Sequence, residues 1–166
     1  MTTLQVGRHD VDISRSGVSY DSDDFDIYFD DQTHKTLHID PEYDASFELM
    51  SCKENSTNSL RMDHLYVPYE YRDNEFGKLG VAFFYYLLNS RGYRKFSMKF
   101  GGGSSSAGFL RNLGFDHSDI QVKRDVEYNG ESVMVGELLD TGNRSRMWSL
   151  RPISISKFPK GFFSIE

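Results

Sequence analysis

The sequence predicts an α/β fold in which a mixed, mostly antiparallel sheet is built around one strand–helix–strand–helix unit. This unit occupies Leu65–Phe115, where a strand end and a turn precede a wholly apolar helical run, Val81–Leu88. Tyr93–Phe100 then alternates like a strand, and a glycine–serine run opens a second helix that ends at Leu113. Two strands joined by a helix in this way are parallel, with a right-handed connection.

Composition and charge indicate one soluble globular domain. The chain has 166 residues, of which 38% are hydrophobic and 14% aromatic, which is enough to bury a core. Its formal charge of −6 argues against a nucleic-acid partner. The net acidity either suits a basic substrate or only keeps the protein soluble. Cys52 is the single cysteine, which excludes a disulfide framework.

The chain shows no sign of export or membrane insertion. Its amino terminus lacks the pattern of a signal peptide, and the apolar run Val81–Leu88 is too short to cross a bilayer. We therefore expect a cytoplasmic protein with no membrane partner.

Further strands are predicted before the central unit. Residues 1–16 form a polar segment without a sustained helical period, and strand-like sequence begins near Val18. Tyr20–Asp31 alternates, with Phe25, Ile27 and Phe29 on one side, and Thr36–Asp40 is its hairpin partner, with Leu37 and Ile39 inward. The remaining segments are a short strand within Pro41–Met50, a polar loop over Lys53–Ser59, and a strand over Leu60–Val67 in which Leu60, Met62, His64 and Tyr66 share one face.

Aspartates are concentrated on the first of these hairpins, at positions 21, 23, 24, 26, 30 and 31. They form either an acidic patch for a cationic substrate or divalent ion, or simply a solvated strand face with turn aspartates. We favour the second interpretation. No metal site is predicted, because His34 and His38 lie in a hairpin rather than on one face of a helix.

Two features follow the central unit. Asn129-Gly130 lies between two alternating runs, Ile120–Glu127 and Ser132–Leu139, which predicts a hairpin. The remaining residues, 147–166, are an aromatic C-terminal extension. This extension either adds an edge strand, covers the sheet, or contacts a protein partner.

The central unit holds four motifs in register: a strand ending at Val67-Pro68, the spacing from Arg72 to Gly77, a helix ending at Gly92, and the tripeptide Leu113-Gly114-Phe115. With these motifs the unit resembles the GNAT superfamily of acyl-CoA-dependent N-acetyltransferases. The resemblance implies a single GNAT-like domain over residues 1–166. Strand-like sequence near Val18 leaves little room for the family's two N-terminal helices, so the helices that usually build the acceptor site are reduced.

The resemblance also implies acetyl-CoA as the acyl donor. Its pyrophosphate would be held by the helix-entry backbone, namely Asn74, Glu75, Phe76, Gly77, Lys78, Leu79 and Gly80. Tyr66 and Val67 would pair by backbone with the pantetheine arm. Arg72 and Lys78 either contact phosphate or are solvent-exposed loop charges. Glu75 replaces a family glycine: pointing to solvent it would only weaken binding, whereas pointing inward it would prevent CoA binding.

The catalytic candidates lie on the strand before the turn. His64 and Asp63 are candidate bases, with Glu48 a weaker one, although a histidine on a buried strand face is often a core residue. Leu110 stands where many family members carry a tyrosine acid. The acid is then water or a tyrosine near the site, and the candidates are Tyr66, Tyr69, Tyr71 and Tyr93.

The sequence therefore predicts an acetyl-CoA-dependent N-acetyltransferase whose acceptor is the amine of a small molecule or of a protein. The alternative is a GNAT-fold binding or regulatory module without catalysis, which Glu75, Leu110 and the reduced helices favour. A third hypothesis is an interaction protein that uses the acidic strand and the aromatic extension and needs no cofactor.

Overall fold

The computed structural model of the chain describes residues 2–14, 17–20, 24–31, 35–41, 45–101, 105–123 and 147–165. Within these ranges it has two sheets and two α-helices, α1 (Phe76–Ser90) and α2 (Ser105–Leu113). The strands are β1 (Thr2–Val6), β2 (His9–Ser14), β3 (Gly17–Tyr20), β4 (Phe25–Asp30), β5 (Lys35–Pro41), β6 (Phe47–Ser56), β7 (Ser59–Leu65), β8 (Lys95–Gly101), β9 (Ile120–Lys123), β10 (Met147–Ser154) and β11 (Phe163–Ile165).

The larger sheet has the strand order β4-β5-β6-β7-β8-β10-β9. Among the strand pairs of the described ranges only β7 and β8, which α1 connects, are parallel. The predicted mixed, mostly antiparallel sheet around a βαβα unit is therefore confirmed. The inward side predicted for β4 and β5 is confirmed too, since Ile27, Leu37 and Ile39 are buried.

The smaller sheet has the order β11-β1-β2-β3 and places strands where the sequence showed only a polar segment. Leu4 and Val6 on β1, and Val11 and Ile13 on β2, are buried on one face of this sheet. Gly7, with a φ of 57°, allows the tight connection between the two strands. Strands thus begin at Thr2, well before Val18.

Helix α1 lies between the two sheets. On one side its backbone approaches the larger sheet so closely that a Cβ on Gly80 would lie 2.7 Å from Leu65 Cδ1. On the other side the Tyr85 ring centroid is 5.5 Å from that of Phe163 in β11. A helix that is apolar nearly all round is therefore buried on both sides, as expected, and Gly80 allows its close packing against Leu65.

The C-terminal extension contributes two strands and, through Phe158, a core residue. β10 lies between β8 and β9 in the larger sheet, and β11 pairs with β1. Phe158 is 3% exposed, and its ring centroid lies 5.0 Å from that of Phe96 and 5.5 Å from that of Phe115.

One predicted connection is wrong, and another lies outside the described residues. The polar loop predicted over Lys53–Ser59 is wrong, because β6 continues to Ser56 and β7 begins at Ser59. Asn129-Gly130 and the predicted partner strand Ser132–Leu139 lie outside the described residues; β9 pairs with β10. No helix of the described ranges is long and apolar enough to span a membrane.

Candidate active site

The pairing of the two parallel strands ends halfway along their length. β7 and β8 pair from Ser59 opposite Lys95 to Met62 opposite Met98. Both strands continue beyond this point, β7 to Leu65 and β8 to Gly101. The region beyond Met62 and Met98, where the two strands no longer pair with each other, is called the opening below; it lies at the carboxyl ends of two neighbouring parallel strands, where α/β proteins commonly bind ligands.

A β-bulge in β7 lies at the mouth of this opening. Cys52 of β6 faces Met62, whereas Ser51 faces His64, so Asp63 is the extra residue. A bulge changes the side to which the following side chains point. Leu65 accordingly packs on α1, and His64 points to the opposite face. The predicted common face of Met62 and His64 is therefore wrong.

The bulge brings His64 next to Glu48 on the neighbouring strand. His64 Nε2 lies 3.8 Å from Glu48 Oε1, and the two side chains are 42% and 40% exposed. The Tyr66 ring centroid is 6.1 Å from that of His64. Asp63 instead forms an ion pair with Arg61. The structure thus brings together three of the candidate groups, and His64 is not a core residue.

Among the described residues no helix covers this side of the larger sheet at β4 and β5, and Tyr28 of β4 is 42% exposed. The described residues before α1 form no α-helix, in agreement with the expected reduction of the N-terminal helices. Tyr28 stacks on His38 with ring centroids 4.7 Å apart, and His38 faces Glu48 across β5 and β6. The residues Tyr28, His38, Glu48, His64 and Tyr66 together are called the open face below.

The backbone between β7 and α1 forms a concave turn. A 3₁₀ helix over Tyr69–Asn74 is followed by Glu75 with a φ of 60° and a ψ of 19°, and α1 begins at Phe76. A left-handed residue after right-handed ones directs successive N–H groups to a common point, as in anion-binding nests. The first-turn N–H groups of α1 have no acceptors within the helix, and the helix dipole adds positive potential.

The carboxylate of Glu75 is partly exposed and points toward the connection between β1 and β2, not into the turn. The backbone N–H of Arg8 donates to Glu75 Oε2 at 3.3 Å, and Lys78 Nζ lies 3.9 Å from Oε1. A Cβ on Gly7 would collide with this carboxylate. Glu75 thus packs against the connection between β1 and β2, and the expected repulsion of a phosphate at the turn is reduced.

Side chains at the same connection also form hydrogen bonds with the backbone of the two residues before Glu75. Arg8 Nη2 donates to the carbonyl oxygen of Asp73 at 2.7 Å. His9 Nε2 contacts the carbonyl oxygen of Asn74, and His9 Nδ1 contacts the Tyr20 hydroxyl. Because a carbonyl can only accept, Nε2 carries the proton, and Tyr20 then donates to Nδ1.

His9 is a functional candidate that the sequence analysis did not include. It is 3% exposed, and its ring stacks on Phe76 with centroids 5.2 Å apart. Burial lowers the pKa of His9, which keeps the imidazole neutral near pH 7. Only a weak pattern in the sequence indicates the hairpin that carries His9: Leu4 and Val6 alternate with polar residues before Gly7, and Val11 and Ile13 do so after it.

Some backbone groups just after β7 already form hydrogen bonds within the protein. Tyr66 N–H donates to the carbonyl oxygen of Leu49 at 2.8 Å, and Arg72 Nε donates to that of Val67 at 3.0 Å. Antiparallel pairing alternates, so the backbone groups of Leu65 and Val67 face away from β6, toward the opening. Arg72 also lies over the Tyr69 ring, at 5.7 Å from its centroid, rather than at the helix N-terminus.

Other predicted site residues are spread around the turn or lie away from it. Gly77 packs close to α2, since a Cβ there would lie 3.2 Å from Phe109 Cζ. Leu79 and Gly80 are buried. Tyr93 is buried, and its hydroxyl donates to Glu54. Burial is the larger cause that raises the pKa of Tyr93, and the bond to Glu54 is the second. Tyr93 lies just beyond the C-terminal end of α1, away from the opening.

Two further residues can be assigned to the core. Leu110 is fully buried and cannot donate a proton. Burial raises the pKa of the Cys52 thiol to about 12, so it is no nucleophile. Among the described residues no three His, Cys, Asp or Glu side chains are grouped as metal ligands.

Solved structures share this fold. A GNAT family acetyltransferase from Elizabethkingia anophelis with acetyl-CoA bound superposes with a TM-score of 0.51 at 9% identity, over 74% of this chain and 76% of that one. The ribosomal-protein-alanine N-acetyltransferase from Escherichia coli gives a TM-score of 0.50 at 12% identity, over 76% and 72%. No family model matches the sequence. No curated protein matches it either. The chain has the GNAT fold, in a divergent form.

Proposed function

We propose that this protein is an acetyl-CoA-dependent N-acetyltransferase. The observation that carries the proposal is the opening between β7 and β8, which begins beyond Met62 and Met98 and lies beside the concave turn before α1. An extended thioester arm fits such an opening, and a pyrophosphate fits such a turn. The Elizabethkingia protein of the same fold, with acetyl-CoA bound, supports this choice of donor.

The donor would be held mainly by backbone groups. The backbone groups of Leu65 and the N–H of Val67, whose carbonyl is already bonded to Arg72, would pair with an extended pantetheine arm as a strand does. The N–H groups of Phe76, Gly77 and Lys78 in the first turn of α1 would bind the pyrophosphate. Lys78, whose side chain is 42% exposed, can add charge.

The acceptor amine would approach from the open face, where His64 and Glu48 lie together. His64 would remove the proton of the amine, and Glu48 would stabilise the resulting imidazolium. The amine nitrogen then bonds to the thioester carbonyl carbon, and the carbon–sulfur bond breaks. The departing thiolate takes a proton from water or from the Tyr66 hydroxyl. The acceptor is a small-molecule or protein amine.

Calorimetric titration with acetyl-CoA and with free CoA tests donor binding. We expect a dissociation constant in the micromolar range, about −8 kcal/mol. Acetyl-CoA incubated with a panel of primary amines should then release free CoA thiol faster than without amine. Absence of binding at millimolar acetyl-CoA would refute the proposal.

A second candidate function is a GNAT-fold binding module without catalysis. Specific observations favour it: Leu110 replaces a possible proton donor, and the Asp63 carboxylate is engaged by Arg61. Binding of CoA without thiol release for any amine would support this alternative over the enzyme.

A further inference from the structure

The strongest unexplained feature of the fold is the set of hydrogen bonds between the β1–β2 connection and the turn before α1. Three consecutive turn residues, Asp73, Asn74 and Glu75, each accept a bond from Arg8 or His9. The partners are separated by at least 65 residues in sequence. Such a contact does not arise from local chain geometry.

His9 is the centre of this contact. Its ring is buried, stacks on Phe76 at the first position of α1, and uses both nitrogens, one for Asn74 and one for Tyr20. A buried group with both polar atoms satisfied fixes the groups that it bonds. β3, through Tyr20, thereby holds His9 in a single tautomer and orientation.

These bonds determine where the turn directs its N–H groups. The C=O and N–H of one trans peptide point in opposite directions. The bond from His9 to the Asn74 carbonyl therefore turns the Glu75 N–H away from the smaller sheet. The bond from Arg8 N–H to the Glu75 carboxylate keeps that charge on the sheet side. As a result, N–H groups line the concave side of the turn and the Glu75 carboxylate is kept away from it, so that an anion can bind there.

We infer that the smaller sheet is a clamp on the phosphate-binding turn, and that His9 is its positioning residue. The inference rests on the proposed function for the identity of the ligand, CoA, and on the bonds of Arg8, His9 and Tyr20 for the clamp itself. Glu75 is tolerated in a left-handed conformation at this turn because the clamp binds its side chain. CoA affinity then depends on a sheet that never contacts the reacting atoms.

The test uses three variants of the full chain. His9→Leu removes both hydrogen bonds of the ring, and His9→Gln keeps an N–H donor for the Asn74 carbonyl. Thr3→Val is the matched control, because it removes the Thr3 Oγ1 to Asp12 bond of 2.7 Å in the same hairpin, away from the turn. Circular dichroism and thermal unfolding confirm that each variant is folded at the temperature used.

The first measurement is amide hydrogen exchange without ligand. In His9→Leu the amides of Leu79 and Gly80, which are hydrogen-bonded in the first turn of α1, should exchange about tenfold faster than in the wild type, while those of β7 and β8 are unchanged. His9→Gln should restore most of the protection, and Thr3→Val should leave these amides unaffected. Equal exchange of Leu79 and Gly80 in His9→Leu and wild type would refute the clamp.

The second measurement is the affinity for CoA. His9→Leu should weaken it about tenfold, as expected for loss of a buried hydrogen bond. His9→Gln should recover it, and Thr3→Val should not change it. Where an amine acceptor is found, KM for acetyl-CoA should rise while kcat stays constant. Unchanged affinity in His9→Leu would refute the effect on the ligand. If the wild type binds no CoA, the proposed function fails, and hydrogen exchange alone decides the clamp.

Discussion

Glu75 lies at a position that disfavours a glutamate for two reasons, its backbone conformation and its charge. A non-glycine residue with positive φ costs on the order of 1 kcal/mol, and a carboxylate beside a phosphate site adds repulsion. Here the Arg8 N–H binds the carboxylate on the side of the smaller sheet, and Lys78 of α1 lies 3.9 Å from it, so the two groups together offset both costs. The position of Glu75 in the turn was predictable from sequence spacing, but its partner, which lies near the amino terminus, was not.

At the residue scale, the catalytic hypothesis makes a direct prediction for His64. We expect His64→Gln to lower kcat by about 10²-fold or more, because the amine then loses its base, with little change in KM for acetyl-CoA. Glu48→Gln should lower kcat less. Release of CoA thiol in the presence of an amine acceptor measures both.

His38→Gln is the control for these variants. It lies on the same open face but stacks on Tyr28 rather than contacting His64. Its kcat should remain within a factor of about three of the wild type, even where KM for the amine rises, because His38 lies on the face that the amine approaches but is not the base. A His64→Gln enzyme with full kcat would show that another group takes the proton.

His9 also predicts a dependence of stability on pH. Its pKa is lowered in the folded state, so between that value and about 6.5 the unfolded chain binds more protons. The stability that neutral His9 contributes is complete above about pH 6.5 and is lost as the pH falls below it. Urea unfolding of wild type and His9→Gln should therefore show a difference that shrinks from pH 7.5 to 5.5. A difference that stays constant over this range would contradict the assignment.

At the scale of elements, α1 was well predicted and the strand before it only in part. The apolar run Val81–Leu88 identified a buried helix without help from the rest of the chain. Alternation alone could not reveal the bulge at Asp63, because a bulge depends on the register with β6 and leaves no local signature. His64 was therefore recognised as a candidate, but its face was assigned wrongly.

Two glycines near the junction of α1 and α2 should respond differently to substitution. A Cβ on Gly77 would lie 3.2 Å from Phe109 Cζ, whereas one on Gly108 would have nothing within 4 Å. We expect Gly108→Ala to raise the free energy of unfolding by up to about 1 kcal/mol, because alanine favours helix.

Gly77→Val should lower the free energy of unfolding by about 1–3 kcal/mol, since Phe109 must move. Under the proposed function it should also weaken CoA binding, because the displaced backbone lies at the phosphate turn. Urea titration and calorimetry measure these effects. A Gly77→Val protein with normal CoA affinity would contradict the placement of the ligand, and Gly108→Ala controls for general changes in helicity.

At the scale of the whole molecule, the aromatic core joins distant parts of the chain. Phe158 packs on Phe84, Phe96 and Phe115, so the C-terminal extension stabilises the central unit. The sequence indicated that this extension was apolar but could not choose among edge strand, cover and partner contact. That choice depends on pairing across more than a hundred residues, between Leu4 and Ile165 for example, which local patterns do not encode.

Phe158→Leu tests the contribution of this core. We expect the free energy of unfolding to fall by about 1–2 kcal/mol, since the ring is replaced by a smaller side chain in a fully packed site. Phe162→Leu, at a half-buried position of the same extension, should cost less than half as much. Thermal or urea unfolding measures both, and equal losses would show that Phe158 has no special place in the core.

The pairing of β1 with β11 also bears on the order in which the molecule forms. A contact between Leu4 and Ile165 closes a loop of nearly the entire chain, and such contacts are slow because of their entropy cost. β1 and β2 leave the ribosome long before β11 does, and their sheet is completed only when β11 is available to pair with β1. Under the clamp inferred above, the turn before α1 is therefore fully ordered only once residues 163–165 have joined the sheet, and the growing chain would bind an anion weakly until then.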